Sequence, residues 1–188
     1  MIALPKNGRV VTALRVLTLS HMFPTPAALT QGVFIIEQMK ALRRLGIEMK
    51  AIAPTPWAPP MLNFLPNIRK YTCIPNSANV EGIRVTYPRF IAFPRGRFLF
   101  LYGLFCYLAC RNIVRKHVQD GGIDLIHAHT IMPDGFAALL LGDEFNIPLV
   151  CTVHGSDISI YPQESWATLL VTKWALRRIN ISSRSAKT

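Results

Sequence analysis

The stretch from 123 to 157 constrains the fold most, because its pattern is typical of one strand–helix–strand unit. An apolar strand over Leu125–Ala128 ends in a His-x-His pair, and an apolar helix is predicted near Asp134 to Phe145. Pro148 stops that helix, and Leu149–Val153 supply a second strand that ends in His-Gly-Ser-Asp. Strands joined by such a helix run parallel through a right-handed crossover. Both strands therefore bring histidines to the same sheet edge, where ligands bind in open α/β sheets.

The rest of the chain alternates between segments typical of strands and of helices. We expect further strands at 14–20, 47–53, 83–87 and 179–182, helices at 31–45, 97–118 and 164–178, and a proline-rich loop at 54–66. This alternation predicts an α/β fold, a Rossmann-like doubly wound parallel sheet with strand order 3-2-1-4-5-6. At 188 residues the chain suits one domain, over 14–188, after a flexible leader at 1–13.

The predicted strand order opens a crevice at the carboxyl edge of the sheet, between Ser20-His21 and His127-Ala128-His129. Gly32 lies on its rim at the start of a helix, where unpaired backbone N–H groups can approach a diphosphate. The polar candidates at this edge are Gln31, Gly32, His127, His129, His154, Ser156 and Asp157.

Each candidate also has a purely structural explanation. For His127 a structural role is favoured, with the side chain packed into a neighbouring helix. For His129 the sequence favours neither a structural nor a functional role. His154 favours a functional role because Gly155 lets the backbone turn and a ligand approach. Asp157 could instead cap the next helix, and Gly32 could be an ordinary loop glycine.

The lack of certain motifs argues against several classes of protein. The sequence has no GxGxxG, GxxxxGK[ST] or GxSxG pattern. This disfavours a dinucleotide-binding protein, a P-loop protein and a hydrolase with a nucleophile elbow. Its four cysteines form no CxxC pair and no metal-ligand spacing, which favours a reduced, cytoplasmic setting and no metal. The longest apolar segment, 98–110, is too short to span a bilayer.

The net charge of +11 is concentrated in one part of the chain. Between residues 67 and 117 there are nine basic residues against one acid, Glu81. Such a field attracts phosphates, nucleic acid or an anionic membrane surface, although a solvated basic face that aids solubility is the alternative. Nucleic acid is disfavoured, because no recognition helix or aromatic RNA-binding motif is present.

Four segments, in order, resemble glycosyltransferase family four, which has the GT-B architecture of two Rossmann-like domains. They are LRVLTLSHMFPTPAALTQGVFIIEQMKALRRLG, EGIRVTYPRF, DLIHAHTIMPDGFAALLLGDEFNIPLVCTVHGSD and WALRRINISSRSAKT. The resemblance covers roughly residues 14–188 and lies in the ordered set rather than in any single motif.

The resemblance implies a retaining, hexosyl-type transferase that moves a sugar from a nucleotide-sugar donor to a sugar or lipid-linked acceptor, without metal or cofactor. The N-terminal domain of the family mainly holds the acceptor. Carried over by position, Gly32 would bring its amide to the donor diphosphate and His154 would be the catalytic residue near the transferred sugar. His129, Asp157 and Gln31 would lie on the acceptor side.

The sequence departs from the family pattern in one large respect. No two glutamates stand eight apart as the Glu-x7-Glu motif of the C-terminal donor domain requires, so we expect that domain to be absent. The chain is therefore expected to be an N-terminal domain, cut off from or encoded apart from its partner domain, and inactive alone.

Many relatives act on lipid-linked acceptors at the inner face of the cytoplasmic membrane. By analogy, Arg95, Arg97, Phe98 and Phe100 are predicted to face the membrane, with burial of this helix against the sheet as the alternative. A non-catalytic module that binds anionic lipid or polyanion through the basic 67–117 surface is the alternative function.

Overall fold

The structure is a computed structural model that describes residues 13–25, 28, 30–59, 61, 64, 66–93, 98–154, 163 and 165–184. The predicted leader thus lies outside the described residues except for Ala13. The strands are β1 Arg15–Leu19, β2 Glu48–Ile52, β3 Thr55–Pro56, β4 Ser77–Val80, β5 Ile83–Thr86, β6 Arg89–Phe90, β7 Leu125–His129 and β8 Leu149–Thr152. The helices are α1 Val33–Arg44, α2 Pro66–Thr72, α3 Leu99–Gln119, α4 Phe136–Phe145 and α5 Trp166–Arg184.

The central sheet has six strands in the order β4-β5-β2-β1-β7-β8. β1 lies between β2 and β7, so that Leu17 is beside both Lys50 and Ile126. β5 and β8 extend the sheet in parallel on the two sides. This confirms the α/β class and the predicted pairing of the first strand with the strand at 125–129.

Helices cover both faces of the sheet, as a doubly wound fold requires. On one face α1 buries Ile35, Ile36 and Met39 in a cluster that includes Val85. On the other face α3, α4 and α5 enclose a second cluster around Ile126. The alternation of apolar residues along β1 feeds both clusters, and such burial stabilises the fold by about 25 cal/mol per Å² of apolar surface.

The close packing of α3 on α4 depends on a glycine. A Cβ atom placed on Gly103 would lie 2.6 Å from Cδ1 and 2.8 Å from Cβ of Phe136. Because the Phe136 Cβ belongs to the helix rather than to a flexible tip, the two helices would have to separate to admit it. Gly103 therefore holds α4, which follows the carboxyl end of β7, in its position.

At the edges of the sheet, one strand prediction was wrong and one strand was not predicted. The predicted sixth strand, 179–182, belongs to α5, which continues to Arg184. Ala175 and Ile179 are both buried and lie one helical turn apart, so the apolar face of the helix continues to Ile179. The antiparallel edge strand β4 was not predicted, because Ser77–Val80 has little apolar alternation.

Two parts of the predicted loop at 54–66 belong to regular secondary structure. Thr55–Pro56 pairs in parallel with Arg89–Phe90 in a small second sheet. Pro66 begins α2 at the first helical position, where its missing N–H has no helical partner to lose.

Candidate active site

Three parallel strands end at one edge of the sheet and present the candidate residues there. β1 is followed by His21, β7 ends at His129, and β8 is followed by His154. Phe34, in the first turn of α1, packs against the last of these, with the ring centroids of Phe34 and His154 4.7 Å apart. The structure therefore brings His129 and His154 together, as predicted from the two strand ends.

The imidazoles of His127, His129 and His154 form a row, which we call the histidine row. The centroids of His127 and His129 are 4.3 Å apart, and those of His129 and His154 are 5.9 Å apart. His127 Nε2 lies 2.8 Å from Thr152 Oγ1, so its structural role is served by strand β8 rather than by the predicted helix.

Burial sets the charge state of this row. Burial, with a further contribution from His127 and His154, lowers the pKa of His129 from 6.5 to about 3. Burial, together with His154, also lowers the pKa of His127. Both rings are neutral at pH 7, and a neutral imidazole offers one donor and one acceptor. That chemistry suits a hydroxyl group better than the charge of a diphosphate.

His129 is a buried polar side chain with unmet bonding capacity. Only 1% of the residue is exposed, and neither ring nitrogen has a hydrogen-bond partner among the described residues. Leaving such a group unsatisfied costs about 1–3 kcal/mol, so this arrangement is typical of functional sites.

Gly32 is required by the backbone itself. Its φ is +65°, and a Cβ atom on it would lie 2.1 Å from the carbonyl oxygen of Met22. Only glycine admits this approach, which fixes the loop after β1 against the start of α1. The steric requirement accounts for the glycine whether or not a diphosphate binds there.

A carboxylate that the sequence did not single out lies beneath the same edge. Asp134 is fully buried in the irregular turn Ile131–Gly135, and its Oδ1 accepts a hydrogen bond from the backbone N–H of His21 at 3.0 Å. Its Oδ2 lies 2.9 Å from His21 Nδ1 and 3.0 Å from Thr130 Oγ1. Thr130 has a φ of +86°, a strained conformation for a β-branched residue and one that concentrates at functional sites.

The sequence contained one signal for this pair. Asp134 is the single charged residue in the apolar run from 131 to 142, and a charge in such a run needs a partner once it is buried. Its partner is 113 residues away along the chain, so local patterns could not identify it.

A cavity of about 480 Å³ lies between the ends of β1 and β7 and the start of α1. His21, Pro133 and the predicted acceptor residue Gln31 line it. Aromatic rings and further polar groups complete its wall, from Thr25, Lys70, Tyr71, Phe90 and Tyr102. Its volume falls in the roughly 300–1,000 Å³ range of small-molecule sites.

Three predicted site residues lie outside the described residues. They are Asp157, predicted for the acceptor side, and Arg95 and Arg97, predicted to face a membrane. Gly155 and Ser156 of the same His-Gly-Ser-Asp segment also lie outside.

An aromatic cluster lies at the start of α3 and comprises the exposed Phe93 and Phe98 and the half-buried Phe100. Phe98 is 53% exposed, and its ring lies 5.3 Å from that of Phe93 and 6.2 Å from that of Phe100. The opposite face of α3 is buried through Tyr102, Gly103, Cys106, Cys110 and Val114. The helix thus has one face on the core and one outside it. No helix among the described residues is long and apolar enough to cross a membrane.

Burial makes the cysteines of α3 inert. It raises the pKa of both Cys106 and Cys110, so neither thiol ionises near neutral pH. The two act as small apolar side chains on the inner face of the helix. Among the described residues no group of three or more His, Cys, Asp or Glu could hold a metal ion.

A basic groove lies at the opposite edge of the sheet, near the amino end of β2. It has a volume of about 850 Å³ and runs between β2, β5 and the last turns of α3. Four cations and a histidine line it with two acids, namely Arg43, Lys50, Arg84, Lys116, His117, Glu48 and Asp120. Burial, and the cations around it, lower the pKa of His117 against the opposing effect of Asp120.

Sequence comparisons show that the chain is similar to glycosyltransferases over most of its length. The model of Glycosyltransferase Family 4 matches residues 31–187. A putative teichuronic acid biosynthesis glycosyltransferase, TuaC of Bacillus subtilis, is 30% identical over 155 residues, which cover 81% of this chain and 39% of TuaC. An uncharacterized glycosyltransferase of Methanocaldococcus jannaschii is 41% identical over 49 residues, 26% of this chain and 14% of that protein.

Among solved structures, the chain is similar to sucrose-phosphate synthase of Thermosynechococcus elongatus. The TM-score is 0.56 at 17% identity, over 87% of this chain and 40% of that one, which is a likeness of fold. The chain spans about two fifths of the length of TuaC and of the synthase.

Proposed function

This chain belongs to Glycosyltransferase Family 4, and we propose that it forms the acceptor-side half of a transferase that moves a sugar from a nucleotide-sugar donor to a glycan acceptor. The observation that carries the proposal is the meeting of His129, His154 and Phe34 at the carboxyl edge of the sheet, beside the start of α1. In a doubly wound sheet this edge is where a ligand lies against the strand ends.

In this proposal His154 is the catalytic residue and faces the transferred sugar. His154 follows the end of β8 and is half-buried. Its ring packs on Phe34 and forms the end of the histidine row that lies beside α1. His129 lies behind it, and Gln31 is in the wall of the neighbouring cavity on the acceptor side. We also assign Asp157 to the acceptor side, from its position in the His-Gly-Ser-Asp segment.

Gly32 is proposed to present the start of α1 to the diphosphate of the donor. The first N–H groups of a helix have no partner within the helix, and the helix dipole favours an anion there. The 12-residue length of α1 and the close approach of Gly32 to Met22 give that end a defined backbone. No metal or cofactor is needed in this proposal, because the dipole and basic residues offset the charge of the leaving group.

We propose that turnover needs a second, donor-binding domain and proceeds with retention of configuration. In support, the match covers about two fifths of TuaC. In this proposal the matched part supplies the acceptor-side groups. The name of TuaC further supports an acidic cell-envelope glycan as the acceptor class.

The test joins this chain to the C-terminal domain of TuaC and measures transfer of radiolabelled sugar from nucleotide-sugar donors to envelope glycan acceptors. The joined protein should transfer sugar and each half alone should not, and NMR of the product should show the donor's anomeric configuration. A properly folded joined protein without transfer to any acceptor would contradict the proposal. An inverted product would contradict only retention.

The basic groove favours a second candidate function, the binding of anionic lipid or polyanion by a non-catalytic module. Lys50, Arg84 and Lys116 converge there from two strands and a helix. Converging cations raise the local concentration of anions, and the effect weakens with salt.

Two ligands test the binding of anions by this groove. Inorganic polyphosphate and vesicles containing anionic lipid should both lose binding when Arg84 and Lys116 are changed to Glu. The matched control, Arg44→Glu with Arg69→Glu, makes the same change of charge outside the groove. Equal loss in the control pair would show that net charge alone is responsible.

Under either function the aromatic cluster at the start of α3 is proposed to dock at the membrane surface, where aromatic side chains and flanking arginines partition well. Arg97 directly precedes Phe98 in the sequence and Arg95 lies just before it, and in this proposal they supply that charge. This placement would bring the acceptor cavity, which Leu99 and Tyr102 of the same helix help to line, near lipid-linked substrates.

A further inference from the structure

The pair of His21 and Asp134 has the geometry of a positioned imidazole. Asp134 binds His21 at two points, the backbone N–H through Oδ1 and ring Nδ1 through Oδ2. Two contacts from one carboxylate define both the position of the residue and the rotation of its ring. Its side chain remains 25% exposed, so the ring is held without being sealed off.

Retaining Asp134 at this position is costly for the fold. A carboxylate withdrawn from water is tolerated only when donors surround its oxygens. Here the donors are the two groups of His21 and the hydroxyl of Thr130, whose single hydrogen is shared with the carbonyl of Met132 at 3.1 Å. Two of the three donors belong to His21, so the carboxylate serves chiefly to hold that residue.

The carboxylate also decides which ring nitrogen carries the proton. A carboxylate accepts hydrogen bonds, so the hydrogen of the 2.9 Å contact is on Nδ1. In the neutral ring Nε2 then carries the lone pair and is an acceptor. Carboxylates orient histidines in this way at many catalytic sites.

The cavity beside His21 has the chemistry of a sugar site. Its wall combines the imidazole with the amide of Gln31 and the rings of Tyr71 and Tyr102. Lys70, whose Nζ lies 4.9 Å above the ring of Tyr71, adds a cation at the rim. Flat aromatic surfaces with a few placed hydrogen-bonding groups are what the alternating apolar and hydroxyl surfaces of a saccharide require.

From these observations we propose that His21 contacts the acceptor, with Nε2 accepting a hydrogen bond from a hydroxyl group of the acceptor sugar. Asp134 is its positioning residue and touches no substrate. This inference deepens the proposed function and rests on it, because it names the acceptor as the molecule in the cavity. It adds to the acceptor site a histidine that lies outside the histidine row.

Two substitutions separate contact with a sugar from a structural role. His21→Asn places an amide N–H near the position of Nδ1, so it keeps the bond to Asp134 and removes Nε2. His21→Gln extends further and places a polar group near the position of Nε2. A merely structural His21 would tolerate Asn, whereas an acceptor contact would not.

The experiment is NMR of the full chain with ¹⁵N-labelled histidine, titrated separately with glucose, N-acetylglucosamine and glucuronic acid. We expect His21 to show the Nδ1–H tautomer in its nitrogen shifts, and Asp134→Asn to change that tautomer. At least one sugar should shift the His21 ring signals saturably. His21→Asn should weaken that sugar by about tenfold, as expected for one lost hydrogen bond, without lowering the thermal midpoint. His21→Gln should weaken it less.

Either of two results would overturn the inference: His21 signals that none of the three sugars moves, or an Asn variant that binds as the original chain does. Failure of the proposed function looks different. If sugars move His21 but the protein joined to a donor domain transfers nothing, the sugar site stands and the transferase proposal fails. If transfer proceeds at an unchanged kcat/KM in His21→Asn, the transferase proposal stands and this inference fails.

Discussion

The imidazole rings of His129 and His154 lie 5.9 Å apart with their planes 13° from parallel, although they follow different strands. Their alignment follows from the parallel pairing of β7 and β8, in which His129 is beside Thr152, two residues before His154. An extended segment of two residues is therefore enough to bring the second ring over the first. The stacking of the two rings therefore depends on the register in which β7 and β8 pair.

The first prediction concerns the stability of the chain in acid. The pKa of His129 is about 3 in the folded state against 6.5 as its ordinary value, so the unfolded chain binds a proton there that the folded chain does not. Stability from this group is complete above pH 6.5 and falls as pH drops towards 3, by up to about 1.4 kcal/mol per pH unit. Urea unfolding of the chain and of His129→Gln across pH 4–7 measures it, and the variant should show the flatter dependence. Parallel curves would contradict the assignment.

A second prediction follows from the contact of Gly32 with Met22. Gly32→Ala places a Cβ atom 2.1 Å from a backbone oxygen, in addition to the cost of the positive φ. We expect a loss of unfolding free energy of about 3 kcal/mol or more. Gly46→Ala is the matched control, because Gly46 also has a positive φ but no atom within 4 Å of the added group. It should cost about 1 kcal/mol. Equal losses in urea unfolding would disprove the steric account.

A third prediction concerns the packing of α3 against α4. Gly103→Ala should destabilise the chain by about 1–3 kcal/mol, because the added methyl group overlaps Phe136 and pushes the helices apart. The exposed Leu108, on the same helix, provides the comparison, and Leu108→Ala should change the unfolding free energy by less than about 0.5 kcal/mol. Thermal or chemical unfolding of both variants is the measurement. A neutral Gly103→Ala variant would contradict the packing described.

A fourth prediction addresses the aromatic cluster. Replacing Phe93 and Phe98 by Ser should reduce flotation with vesicles of anionic lipid several-fold, because interfacial burial of aromatic rings contributes to docking. Trp166→Ser removes an aromatic residue that is 76% exposed on α5, far along the chain from the cluster, and should leave flotation unchanged. Flotation that is insensitive to the Phe substitutions would assign these side chains to another contact.

The sequence was most informative where local patterns coincide with the fold. The strands at 15–19, 125–129 and 149–152 have apolar runs bounded by turns or helices, and their parallel order follows from the length of the connections. The same logic identified the sheet edge at which His129 and His154 meet, because carboxyl ends of parallel strands share an edge.

Other features depend on contacts that local patterns do not contain. The segment 179–182 has the composition typical of a strand. Its first residue, Ile179, nevertheless continues α5, because its side chain is buried one turn after Ala175. The role of Asp134 depends on His21, which is distant in sequence and close only after β1 and β7 pair. The prediction that Gly32 lies at a ligand site stays a prediction. The steric need for glycine there comes from the carbonyl of Met22, which no spacing rule reveals.

The most direct test of the central claim compares two histidine substitutions in the protein joined to the TuaC C-terminal domain. His154→Ala removes the ring at the Phe34 end of the histidine row. His117→Ala removes a ring at the opposite edge of the sheet. Sugar transfer from the nucleotide-sugar donor is measured as kcat/KM, with circular dichroism to verify folding. The account predicts that transfer is lost in His154→Ala and kept in His117→Ala. Unchanged transfer in a folded His154→Ala variant would contradict it.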